Sequence, residues 1–241
     1  MTKTAEKFRQ RLFGGDEHPY ITFEREVQRV LAPGATLVDA GCGRTAPVLR
    51  KFRDLASCCI GIDLEEFPEP IPGIELRRGD LARTGLPASS VDVIMARSVM
   101  EHVTEPEQVY AEMRRVLRPG GHFVFLTANL WDYASLIAKA VPNRLHPWIV
   151  ARTEGRAEAD VFPTAYKTNT RRDVFRLAGQ SGLEVVRFSY LGQYPAYFMF
   201  NGALFLAASL YEKTISRFES LHFLRGWMLV TLRIPPQKSD R

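Results

Sequence analysis

The run Leu37-Val38-Asp39-Ala40-Gly41-Cys42-Gly43 constrains this chain more than any other, because a short apolar segment ends at an acid and passes at once into Gly-x-Gly. A strand that stops at a glycine turn and feeds a helix opens an α/β unit. Ala46 to Phe52 is expected as that helix, with Pro47 in its first turn. Glycines at such a turn permit positive φ and let backbone N–H groups approach a bound nucleotide. Further apolar runs follow at Cys59 to Asp63, Ile74 to Leu81, Val91 to Ala96 and His122 to Leu126, with a sixth and a seventh at Leu183 to Tyr190 and Met228 to Ile234. Helices are expected over Ile21 to Leu31, over Glu105 to Val116, and from a cap at Thr170 to Gly182. The alternation predicts a Rossmann-like, mostly parallel seven-stranded sheet with helices on both faces.

Which nucleotide the turn takes depends on Asp39. A carboxylate two residues before the first glycine repels a pyrophosphate and attracts a cation, such as an ammonium or a sulfonium. The turn therefore favours S-adenosylmethionine. A dinucleotide is the rival, since Gly41, Gly43 and Ala46 also satisfy the looser G-x-G-x-x-G/A pattern. Asp63, about 20 residues on, can accept ribose hydroxyls and suits either ligand.

Several segments in order carry a resemblance. Asp39-Ala40-Gly41-Cys42-Gly43, Asp63, Gly79-Asp80-Leu81, Ser98-Val99-Met100-Glu101-His102-Val103 and Arg114-Arg115-Val116-Leu117-Arg118-Pro119-Gly120-Gly121 are together similar to the motifs of the class I S-adenosylmethionine-dependent methyltransferases. The resemblance is to the broad group that includes ubiquinone and menaquinone methyltransferases. It implies that Asp39 helps hold the methionine end of the cofactor, that Gly41 and Gly43 let the chain pass close, that Asp63 takes the ribose and that Asp80 reads the adenine amine. Leu64 and Leu81 then offer apolar contact to the ring. Arg97 and Ser98 fall at the boundary between cofactor and acceptor. His102 is the candidate catalytic base, because imidazole titrates near neutral pH. A Glu-His pair that only supports its own segment is the competing reading.

The chain of 241 residues is read as a single methyltransferase domain, with a cofactor-binding core over 20–130 and substrate-side insertions over 130–169 and 192–227. The first insertion contains Trp131, Tyr133, His146, Trp148, Phe162, Pro163 and Tyr166. Tyr166 and Tyr194 are candidate acceptor contacts. Cys42, Cys58 and Cys59 suit a reducing compartment, and no Cys/His spacing suggests a metal site. Without an apolar signal core in the first residues, the expected location is the cytoplasm.

Phe188 to Tyr211 carries no charged residue. From Pro195 it leaves too short a helix to cross a bilayer, so an apolar helix is expected, either shielding the active site or lying peripherally in a membrane interface. Residues 1–130 hold 17 Lys/Arg against 18 Asp/Glu and residues 131–241 hold 15 against 9, which places the basic excess in the second part, at residues such as Arg171, Arg172, Arg176, Lys213, Arg217 and Arg225. Neither the Asn/Asp-Pro-Pro-Tyr motif of amino-methylating enzymes after the fourth strand nor the Pro-Cys pair of pyrimidine C5 methylation is present, and the aromatic insertions favour a small or lipid-like acceptor over a nucleic acid. The alternatives are a structured RNA met by the basic excess, or a cofactor-binding protein that has lost catalysis and works through a partner.

Overall fold

The computed structural model describes residues 2–140 and 163–235; His146, Trp148 and Phe162 of the first insertion lie outside the described residues. The chain divides into two compact units. A core unit comprises 20–127, 165–189 and 229–241, and a helical unit comprises 1–19, 128–164 and 190–228.

The seven expected strands all form, as β1 (Thr36–Ala40), β2 (Cys58–Asp63), β3 (Glu75–Arg78), β4 (Val91–Arg97), β5 (Leu117–Ala128), β6 (Glu184–Leu191) and β7 (Trp227–Arg233). Their order across the sheet is β3-β2-β1-β4-β5-β7-β6, and β1 to β5 pair in parallel. The sheet is mixed, since one segment runs antiparallel, which refines the mostly parallel expectation. Asp39 lies opposite both Gly61 and Met95, so the ends of β1, β2 and β4 are level where β1 turns into the glycine loop. Ligands of parallel sheets bind at such carboxyl ends, where the strand order reverses on either side of β1.

Side chains alternate across β5, and the two faces meet different helices. Phe123 and Phe125 meet the edge of Tyr110 on α3 (Pro106–Val116). The opposite face is served by α2 (Pro19–Val30), whose buried Glu26 accepts from Thr231 of β7 and Arg187 of β6. Arg29 also donates to Glu26, and these hydrogen bonds overcome burial and hold its carboxyl below the usual range. The helix expected after Thr170 is α5 (Arg171–Ser181): Thr170 Oγ1 accepts from the Asp173 amide, and Gly182 ends the helix at φ 74°.

The expected helix over Ala46 to Phe52 is replaced by a single 3₁₀ turn, Leu49–Phe52. Ala46 sits at φ 42°, a left-handed conformation that no right-handed helix contains, so regular structure starts only beyond Pro47.

The helical unit holds α1 (Lys3–Phe13), α4 (Tyr133–Ala140) and α6 (Gly202–Arg217). Its apolar centre is Ala5, Phe13, Met199 and Phe205, with the rings of Phe13 and Phe205 edge to face at 6.3 Å. The helix expected from Pro195 begins later and runs past Tyr211. Asn201 is its N-cap, its side-chain oxygen accepting from the Ala203 and Leu204 amides, and only a 3₁₀ turn at Ala196–Phe198 precedes it. Among the described residues no helix is long and apolar enough to cross a membrane.

Candidate functional site

The glycine loop is held by backbone bonds before any ligand contributes. The Gly41 and Cys42 amides both donate to the Ile62 carbonyl, at 2.8 and 3.2 Å, which folds the loop against the end of β2. Gly41 has φ 80°, and a Cβ there would collide with Val99, whose side chain lies against the loop from the segment after β4. Gly43, at φ 70°, has open space where its Cβ would stand.

Asp63 organises the same loop. Its Oδ2 accepts from the Gly43 amide at 2.7 Å and its Oδ1 from the Glu65 amide at 3.0 Å, while its carbonyl accepts from Gly79. One residue thus joins the glycine loop, the end of β2 and the Gly79-Asp80 turn. Asp80 is exposed, with its Oδ1 accepting from Ala82, and Leu81 is half-buried. Leu64, beside Asp63, is an exposed leucine available to a flat apolar ring.

Asp39 is buried, and its Oδ2 has no hydrogen-bond partner. Burial pushes its carboxyl up to about 7, opposed by the charge of Arg97 and reinforced by that of Asp63. Ser98 Oγ is a second buried polar atom without a partner, on a residue with φ 56°. A strained backbone and unmatched polar atoms concentrate where a ligand completes the bonding. An unmatched carboxylate oxygen suits a cationic group such as the methionine end of S-adenosylmethionine. The donor set therefore accommodates that cofactor. Among the described residues no group of His, Cys, Asp and Glu has a metal-binding arrangement.

Arg97 closes β4, with its guanidinium 4.3 Å from the Tyr20 ring centroid and 3.7 Å from Glu24. Tyr20 and Glu24 carry no motif and emerge only from the fold. Glu101 is buried, its Oε2 accepting from Thr127 and its carbonyl from the Ala165 and Tyr166 amides; burial raises its carboxyl. His102 adjoins it, its amide bonded to the Val99 carbonyl. Tyr166, at φ 50°, is thus tied to the His102 segment within the core unit. Tyr194 is placed otherwise: it belongs to the helical unit, packed on Phe13 with Arg9 over its ring.

The helical unit contains a titratable cluster with no signature in the sequence. Asp132 caps α4 through the Ala134 amide, and Glu212 is buried with its Oε2 lacking a partner. Burial and the charge of Asp132 push Glu212 up to about 8 and burial pushes Asp132 up to about 6, while Arg225 opposes the rise at Glu212. Several of the described cations of the basic second part are engaged. Arg176 pairs with Glu107, Lys213 pairs with Asp16, and Arg225 donates to the Tyr190 and Ser216 carbonyls.

A methyltransferase domain model matches residues 38–125, the stretch containing the loop, Asp63 and Asp80. A probable S-adenosylmethionine-dependent methyltransferase of Mycolicibacterium smegmatis is 34% identical over 173 residues, which is 68% of this chain and 63% of the relative. A ubiquinone biosynthesis O-methyltransferase of Hahella chejuensis is 29% identical over 139 residues, 50% of this chain and 58% of that protein. The chain thus spans less than two thirds of the length of either relative. The crystal structure of an S-adenosylmethionine-dependent methyltransferase from Mesorhizobium loti superposes with a TM-score of 0.56 at 20% identity, covering 89% of this chain and 96% of the other, a likeness of fold alone.

Proposed function

The chain belongs to the class I S-adenosylmethionine-dependent methyltransferases, and on that premise we propose that it transfers the methyl group of S-adenosylmethionine to a small or lipid-like acceptor. The observation that carries the proposal is the buried, unmatched Asp39 oxygen at the head of a loop that Asp63 already holds in place. The cofactor supplies an activated methyl on a sulfonium; the protein's task is alignment. In this reading Asp39 and Ser98 receive the methionine end, Gly41 and Gly43 admit it closely, Asp63 takes the ribose hydroxyls, and Asp80, Leu64 and Leu81 hold the adenine. Arg97 stands beside Asp39 and balances its charge. His102 is the proposed base and Tyr166 a proposed acceptor contact, both on the segment joined through Glu101.

The lipid-like acceptor is favoured by the quinone-pathway relative and by the apolar character of the residues inserted around the core. We place the protein in the cytoplasm, with peripheral contact to a lipid surface from which such an acceptor is drawn. Asp63→Ala is the direct test of the cofactor assignment. It removes the ribose acceptor and releases the Gly43 and Glu65 amides, so affinity for S-adenosylhomocysteine by calorimetry is expected to fall by about 1.5–3 kcal/mol or more. Unchanged affinity defeats the assignment. Formation of S-adenosylhomocysteine from labelled cofactor with a lipid extract as acceptor tests turnover, and its absence with every extract leaves a binding protein without catalysis.

A further inference from the structure

We infer that α1 and α6 form a docking face for an anionic bilayer, with leucines of α6 entering the boundary between headgroups and acyl chains and cations of α1 meeting the headgroups. This deepens, and rests on, the reading of the protein as one that works at a lipid surface; it does not depend on methyl transfer.

The first observation is that α6 is inside out. Its buried face carries Ser209 and Glu212 among Phe205 and Ile215, whereas its exposed face carries Ala203, Leu204, Ala207 and Leu210 at helical spacing. Leu204 is 46% exposed and Leu210 64%, and Phe200 and Phe218, just outside the two ends of the helix, are exposed as well. A soluble helix has the reverse pattern, and a contiguous apolar ridge on a surface marks an interaction site. At about 1.5 Å per residue the 16 residues of α6 measure about 24 Å, too short to span a bilayer but ample to lie in its plane.

The second observation is independent and comes from α1. The helix carries four cations against the single acid Glu6, which is bonded to Arg9. Lys3, Lys7 and Arg11, at i, i+4 and i+8, share its exposed face. The helices run alongside each other in the same direction. Thr4 touches the start of α6 at Gly202, the Thr2 amide donates to the Met199 carbonyl, and farther along both helices Lys213 lies over Phe13. Neighbouring helices of one unit thus expose cations on one and apolar side chains on the other.

That pairing decides the occupant. A bilayer containing anionic lipid offers acyl chains and negative headgroups together. A second copy of this face brings apolar surface but adds the same excess of cations, its single acid Glu6 being already bonded to Arg9. The cations that matter lie in the N-terminal helix, while Arg176 and Lys213 of the basic second half are engaged in ion pairs.

The test is flotation of the full chain with vesicles of phosphatidylcholine, with and without phosphatidylglycerol. The wild type is expected to float with the anionic vesicles and to be released by salt. Each lysine or arginine near such a surface contributes about fivefold to binding, so the loss of three in Lys3→Glu/Lys7→Glu/Arg11→Glu is expected to weaken association by about a hundredfold. Leu204→Gln/Leu210→Gln is expected to weaken it similarly, and reversal of the exposed Arg53 and Arg172 on the core unit is expected to leave it unchanged. Wild-type hydrogen exchange over α1 and α6, together with retained binding of S-adenosylhomocysteine by the core unit, shows that both units of every variant are folded. If the wild type floats and both ridge variants float equally well, the face is wrong while the lipid-surface reading stands. If the wild type floats with neither vesicle, that reading falls and takes the face with it. A dimer in sedimentation that dissociates in Leu204→Gln/Leu210→Gln without lipid assigns the ridge to a second copy and overturns the proposal.

Discussion

Asp39 carries the most specific chemistry because its two states have different uses. Its carboxyl is raised from 3.8 to about 7 by burial, so the unliganded protein holds it largely protonated below neutrality. A cationic ligand needs the ionised form. Affinity for S-adenosylmethionine is therefore expected to rise with pH, by about tenfold from about pH 6 to about pH 8, and calorimetry across that window checks it. Stability has the opposite sign. A carboxyl with a raised folded pKa contributes most below its unfolded value near 3.8, and that contribution is lost as pH rises toward about 7. Asp39→Asn is accordingly expected to raise the melting temperature above neutrality and to flatten the pH dependence of cofactor binding. An Asn variant with the wild-type pH profile assigns the titration elsewhere.

Elements show what local sequence can convey. The turn after β1 and the acid ending β2 were legible because strand, acid and glycine are adjacent in the chain and their bonds, Gly41 to Ile62 and Gly43 to Asp63, are consequences of parallel register. The capped start of α5 was legible for the same reason, since Thr170 and Asp173 are three residues apart. Failures came where a single residue's geometry or a distant partner decides. Ala46 in a left-handed conformation cancels the helix over 46–52, and Asn201 moves the start of α6 past Pro195. Tyr20 over Arg97, and Asp132 close to Glu212, join residues far apart in sequence, where pattern carries no signal. The acid pair makes a prediction of its own. Glu212, raised to about 8, supports the fold fully below about 4.5 and loses that support as pH rises toward about 8. Glu212→Gln is expected to be more stable than wild type above pH 8 and to converge with it in acid, as read by melting curves at the two extremes. Equal melting of the two proteins in alkali removes Glu212 from the cause.

For the whole molecule the division into two units has a functional meaning. Every proposed cofactor residue from Asp39 to Ser98 belongs to the core unit, and its bonds to loop and strand ends are made within that unit. The helical unit has its own apolar centre, in which Phe205 is fully buried against Phe13. Phe205→Ala opens a cavity there and is expected to cost that unit about 3–5 kcal/mol, the range for an aromatic removed from a packed core. Because Phe205 takes no part in the glycine loop, affinity for S-adenosylhomocysteine is expected to stay within about twofold of wild type, a difference below about 0.5 kcal/mol. Turnover of a lipid-like acceptor and flotation with anionic vesicles are expected to fall together, since α6 presents both its buried and its exposed residues from one helix. Hydrogen exchange localises the damage: faster exchange confined to α1 and α6 fits two separable units. Equal acceleration in β1 and β2 with a matching loss of cofactor affinity means that the core unit depends on the helical one, and the functional division fails.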